Sequence, residues 1–168
     1  MNSLVKVKKK GHMTIYSLIY GMILKMDADY DRVRFFGLGP KENYTDRRAG
    51  ARLGLWEYRA AENYTPYLMP QECGNRTGVR WAEITDAKGQ GLKLWLNGGE
   101  FSALPWTPHE IENAAHGYEL PPVNYTVLKM SAQQMGVGGD DSWGARTHPE
   151  YLLDVTKPVE FNFSFKGV

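Results

Sequence analysis

Alternation of apolar and polar side chains with a period of two recurs along this chain and narrows its fold more than any other feature. Near the C-terminus Phe161, Phe163 and Phe165 alternate with Asn162, Ser164 and Lys166, the pattern of a half-buried strand. Leu92, Leu94 and Leu96 alternate in the same way with Lys93 and Trp95. Upstream, Gly78 to Thr85 reads as a two-sided strand, with Val79 and Trp81 on one face and Ala82 and Ile84 on the other. The turn Asp86-Ala87-Lys88-Gly89 between these two runs makes them a hairpin. A further apolar run, Val33 to Phe36, is expected to stop abruptly at Gly37, Gly39 and Pro40.

One helix interrupts the strands. Thr107 suits the N-cap, Pro108 the first helical position, and Glu110 completes a capping box. Ile111, Ala114 and Ala115 then share a face, and Gly117 with Pro121 and Pro122 ends the element. A single short helix among many strands predicts an all-β sandwich with a helical insert.

Twenty Lys and Arg against nineteen Asp and Glu leave a net charge of +1, which excludes the basic surface that a nucleic-acid partner demands. Cys73 is the only cysteine, so no intrachain disulfide forms. Five sequons, at Asn43, Asn63, Asn75, Asn124 and Asn162, read as chance products of a chain rich in Asn-Tyr-Thr. At the N-terminus Lys6, Lys8, Lys9 and Lys10 precede an apolar stretch from Met13 to Leu24, the outline of a signal peptide. Lys25 and Asp27 follow it in place of a cleavage site. The stretch is also too short for a bilayer, which takes roughly 20 residues, so no membrane association is expected.

Four segments are too particular for generic β structure. They are Phe36-Gly-Leu-Gly-Pro-Lys-Glu-Asn-Tyr-Thr-Asp-Arg47; Tyr67-Leu-Met-Pro-Gln-Glu-Cys-Gly-Asn75 with Val79-Arg80-Trp81; Phe101-Ser-Ala-Leu104; and Met135-Gly-Val-Gly-Gly-Asp-Asp-Ser-Trp-Gly144. Their order and spacing resemble the C-terminal domain of glycoside hydrolase family 2 β-galactosidases, which some bacteria encode as a separate small subunit. The resemblance runs from about Gly21 to Phe165. Residues 1–20 form an extension that it does not place, and residues 1–17 are expected to tolerate deletion.

The resemblance implies a fold, a partner and a role. The fold would be part of a supersandwich similar to galactose mutarotase. The partner would be a large chain whose barrel carries the two catalytic glutamates of a retaining mechanism. No counterpart of either glutamate is found in this chain, so it is expected to be inactive alone. Family enzymes use magnesium and sodium, but in other domains, so no cofactor or metal is expected on this chain. A bacterial cytoplasmic location is expected rather than a periplasmic one. The family's domain is longer and its first strands would lie before Gly21. The chain is therefore expected to be an incomplete sandwich with open strand edges prone to self-association. Two other readings are a free-standing sugar-binding or mutarotase-like protein and an inactive gene fragment.

By position in its motif, Trp143 is the aromatic side chain that the family places at the rim of the galactoside site, where a substrate such as lactose binds. Gly136, Gly138 and Gly139 permit left-handed or tightly folded backbone. Asp140, Asp141 and Ser142 can cap neighbouring amides and fix the loop. The residues alone leave two readings open, a sugar platform and an indole plugging the end of the sandwich; the resemblance favours the platform. Asp140 and Asp141 are adjacent and diverge, so local capping suits them better than a glycosidase acid pair or a metal. His109, His116 and His148 with Glu72 could make a mutarotase-like acid–base pair, but they are scattered and read as surface or structural. Cys73 has no nucleophile pattern around it, and Gly37-x-Gly39 is followed by Pro40 rather than a phosphate-binding helix.

Overall fold

The structure, a computed structural model, describes the backbone of residues 3–8 and the chain at 19–141, 143–154 and 160–168. Among the described residues eight strands form one antiparallel, branched sheet. They are β1 (Ser3–Lys8), β2 (Ile19–Asp27), β3 (Arg32–Gly39), β4 (Arg52–Arg59), β5 (Arg76–Thr85), β6 (Gly91–Leu104), β7 (Tyr125–Gln134) and β8 (Glu160–Gly167). The α-helix α1 (Pro108–Asn113) lies between β6 and β7. The class is all-β with one short helix. None of the described helices is long and apolar enough to cross a membrane.

The 14-residue strand β6 organises the sheet. One edge carries β5, followed by β3 and β4. The other edge is divided: Leu92–Trp95 pair with β8, and Glu100–Leu104 pair with β7. Between these stretches Asn97 and Gly98 have φ of 50° and 94°, the left-handed region that Asn and Gly enter at least cost. There β6 turns out of one branch and into the other. β8 then carries β1, and β7 carries β2.

Side chains from both branches meet in one core. Phe35, Val79, Ala82, Ile84, Leu94, Leu128, Phe161 and Phe163 are buried together, and Met22, Leu24 and Met26 of β2 pack against them. The alternation of β8 and of Leu92–Leu96 in β6 is thereby explained. That of β5 is not as expected: Val79 lies in the same core as Ala82 and Ile84 rather than on the opposite face. The register of β5 on β6 shifts between Val79 and Trp81, and a bulge of this kind reverses which side chains face inward.

Three further expectations are corrected. β3 does not stop at Gly37 but runs through Gly39 to a cis peptide at Pro40. The glycines there make room, since a Cβ on Gly39 would stand 2.6 Å from the Trp56 ring. The helix ends at Asn113, and Ala115 is exposed beyond it. Ser3–Lys8 are not free of the fold, because β1 pairs with β8 from Ser3↔Phe165 to Lys8↔Glu160. Their Leu-Val-Lys-Val-Lys alternation was masked by the neighbouring lysines. Asn43, Asn63 and Asn75 are buried, so these three sequons are closed to glycans in the folded chain.

Candidate functional site

The paired strands β6 and β7 have two faces built by alternation. Phe101 and Ala103, opposite Met130 and Leu128, point into the core. Ser102 and Leu104, opposite Lys129 and Val127, face the other way and floor a cavity of about 570 Å³. A second small cluster, Cys73, Leu104 and Ile111 with Tyr67 and Trp106 against it, holds α1 and residues 67–73 to this face. The capping box keeps α1 in place, with Glu110 N donating to Thr107 Oγ1 at 3.2 Å and Thr107 N donating to Glu110 Oε2 at 2.7 Å.

All four unusual segments converge here, and residues 42–47 are the hub. Glu42 accepts from Gly74 N at 2.7 Å and from Arg47 Nη2 at 2.7 Å, and also from the Tyr67 hydroxyl. Asn43 is buried and reaches across to β5, where its Oδ1 accepts from Thr77 N at 2.9 Å and Thr77 Oγ1 at 2.6 Å. Asp46 Oδ2 accepts from Gly138 N at 2.7 Å, which ties the hub to the Trp143 loop.

In that loop Trp143 is 93% exposed, so among the described residues its indole plugs nothing. Asp141 Oδ1 caps the turn beneath it, accepting from Trp143 N at 2.8 Å and Ala145 N at 3.2 Å. Asp140 instead pairs with His148 Nε2 at 2.9 Å and closes the base of the loop. Ser142 lies outside the described residues. Of the two backbone forms expected of the glycines, tight folding is what the structure shows, not left-handed backbone. Positive φ falls on Gly144, at 115°, and not on Gly136, Gly138 or Gly139. Gly136 and Gly139 permit close approach, since a Cβ would stand 2.6 Å from Asp46 Oδ2 and 2.3 Å from Ala145 O respectively.

The loop closure carries a pH dependence. The hydrogen bond to Asp140, with the charges of Asp140 and Glu150, holds the His148 imidazole above its ordinary pKa. A raised folded-state pKa means the charged pair is fully formed below about pH 6.5 and is lost as pH rises through the higher folded value. Trp143 fluorescence anisotropy is expected to fall over that upper interval, and His148→Gln to abolish the transition. A pH-independent anisotropy in the unaltered chain would show that the pair does not hold the loop.

The structure does not assemble the histidines with Glu72. His109 is exposed beside Glu112, His116 pairs with Glu119, and Glu72 is paired with Lys129 on the cavity floor. Burial pushes the Cys73 thiol up to about 11, a range in which it is a poor nucleophile. Among the described residues no group of three His, Cys, Asp or Glu is placed to hold a metal ion. Sequence reasoning missed Lys129. Its signal was a lone charge in the run Tyr125-Thr-Val-Leu-Lys-Met130, which is otherwise free of charge.

The family model described as "Beta galactosidase small chain" matches residues 2–165, so the likeness starts well before Gly21. A β-galactosidase of Halalkalibacterium halodurans is 44% identical over 162 residues, covering 95% of this chain and 16% of the relative. That of Priestia megaterium is 46% identical over 147 residues, with 87% and 14% covered. That of Lactobacillus delbrueckii subsp. bulgaricus is 45% identical over 140 residues, with 82% and 14% covered. The chain thus spans about 14 to 16% of the length of these relatives.

Proposed function

The chain belongs to the β-galactosidase small-chain family, and from that premise we propose that it is a non-catalytic part of a retaining, family 2 β-galactosidase. It works with a larger chain that carries the barrel, both glutamates and any metal sites. Its contribution is Trp143, an aromatic platform at the rim of the site for galactosides such as lactose. The observation that carries this reading is an indole almost wholly in solvent on a loop fixed by three aspartates. An indole in this position offers a flat apolar face with a polar N–H edge to a ligand or partner. Asp46, Asp141 and the Asp140–His148 pair hold the backbone beneath it, so little ordering remains to oppose stacking.

The open edges fit a role beside a larger chain. Among the described residues β4 pairs only with β3, and Leu53 and Leu55 along it are exposed. Such an edge recruits another chain or a second copy.

The test is reconstitution with a cognate large chain. Neither chain alone is expected to hydrolyse a nitrophenyl galactoside, whereas the mixture turns over, and light scattering shows any self-association relieved. In the mixture Trp143→Ala removes a stacking face worth about 1–2 kcal/mol. Lactose use then falls about tenfold, while the maximal rate on an aryl galactoside changes less. Turnover by this chain alone refutes the non-catalytic reading. Unaltered lactose use in the variant refutes the platform.

A further inference from the structure

We propose that the cavity between the β6–β7 floor, α1 and residues 67–72 is a binding site for a neutral pyranose, distinct from the Trp143 indole. Its floor is a set of paired hydrogen-bonding groups rather than a bare charge. Lys129 is 5% exposed, donates to Gln134 Oε1 at 3.2 Å and pairs with Glu72. An ammonium carries three N–H donors, and two of them have partners among the described residues, which leaves one for a ligand. Glu72 Oε1 receives Lys129 and, at 3.5 Å, the Tyr44 hydroxyl, while Oε2 receives no hydrogen bond among the described residues. A ligand hydroxyl can accept from the first group and donate to the second, which is what a sugar hydroxyl offers and a purely apolar molecule does not.

Charge selects neutrality. Of the lining side chains, Arg47 and Lys129 are balanced by Glu72 and Glu112. Arg47 is held besides by Glu42 at 2.7 Å, outside the lining. An anion would meet an ammonium already matched to its carboxylate, and a cation would meet the ammonium itself. The walls are Trp106, Leu104, Val127, Met69 and Pro70, apolar surfaces suited to the C–H faces of a ring. At about 570 Å³ the cavity takes a monosaccharide or its methyl glycoside, within the range of about 300–1,000 Å³ usual for small-molecule sites. Met135, Gly136 and Val137 form one wall, so the cavity lies directly behind the loop that presents Trp143.

The inference needs no large chain and stands apart from the platform role. The test is a heteronuclear NMR titration of the whole chain with methyl β-galactoside and, separately, methyl β-glucoside. At least one glycoside is expected to shift the amides of Ser102, Lys129, Gln134 and Met135. Lys129→Met is expected to weaken binding by about tenfold or more, the usual consequence of losing a charged hydrogen-bond donor. Val137→Trp, at the partly exposed rim, should block entry without touching the floor, and it decides alone if Lys129→Met does not fold. Trp143→Ala should leave the affinity unchanged. The inference is overturned if neither glycoside shifts these amides at saturating concentration. It is equally overturned if the shifts centre on residues 140–145 and vanish with Trp143→Ala while Val137→Trp leaves them intact.

Discussion

Asn43→Asp is expected to destabilise the chain by about 3 kcal/mol or more at neutral pH, although it exchanges one nitrogen for one oxygen. The Asn43 carboxamide is used at both ends: Nδ2 donates to Leu38 O at 2.9 Å and Lys41 O at 3.1 Å, and Oδ1 accepts twice from Thr77. A carboxylate at this buried position would face two carbonyl oxygens with nothing to donate. Its folded-state pKa therefore rises above the unfolded value near 3.9. The sign follows from proton linkage: the folded state holds the proton longer, so the penalty grows as pH rises from about 4 towards the raised folded value. Urea unfolding at pH 5 and pH 8 should find the variant nearer to the parent at pH 5. A small loss that ignores pH would mean that the carboxamide is turned the other way and does not donate to Leu38 and Lys41. Against total stabilities of about 5–15 kcal/mol the expected loss is a large fraction. It would also release Glu42 from Gly74 and Asp46 from Gly138, loosening the Trp143 loop from its hub.

Asn43 illustrates what was legible and what was not. The strand content could be read because burial on one face of a pleated strand writes itself as period two, as in Phe161-Asn162-Phe163-Ser164-Phe165. Thr107 to Glu110 was equally plain, since a capping box is local chemistry. The motif around Asn43 was visible as unusual, but its reason lay in partners 34 residues away at Thr77 and 92 residues away, from Asp46 to Gly138. Non-local hydrogen bonds leave no periodicity. Val79 was assigned to the wrong face for a related reason: a bulge is a property of two paired strands, and one strand read alone does not contain it. Ser3–Lys8 carried a strand pattern that the adjoining lysines obscured. The cavity was the least legible part, because its floor needs β6 and β7 in register and its walls need α1 folded over them.

Glu72→Ala is expected to cost about 2–3 kcal/mol, although the sequence offers Glu72 only as a remote acid–base partner for scattered histidines. It is the partner of Lys129, whose ammonium is nearly sealed from solvent. Removing one member of a fully buried pair costs about 3–5 kcal/mol because the survivor is an uncompensated charge. Two features reduce that figure here. The Glu72 side chain is 28% exposed, and the Glu100 carboxylate near Lys129 supplies a second, weaker attraction. Burial holds the Glu100 carboxyl above its usual range while Asn75, donating at 3.0 Å, and Lys129 oppose the rise. Losing Glu72 therefore draws Lys129 towards Glu100 and pulls the Ser102–Leu104 floor with it. A double-mutant cycle separates this electrostatic account from simple loss of packing. Lys129→Met together with Glu72→Ala should be more stable than Glu72→Ala alone, since the second change removes the stranded charge and leaves an apolar chain of similar length. Additive losses in urea unfolding would show that the two residues stabilise the floor independently, and the ion pair would then have no part in shaping the cavity.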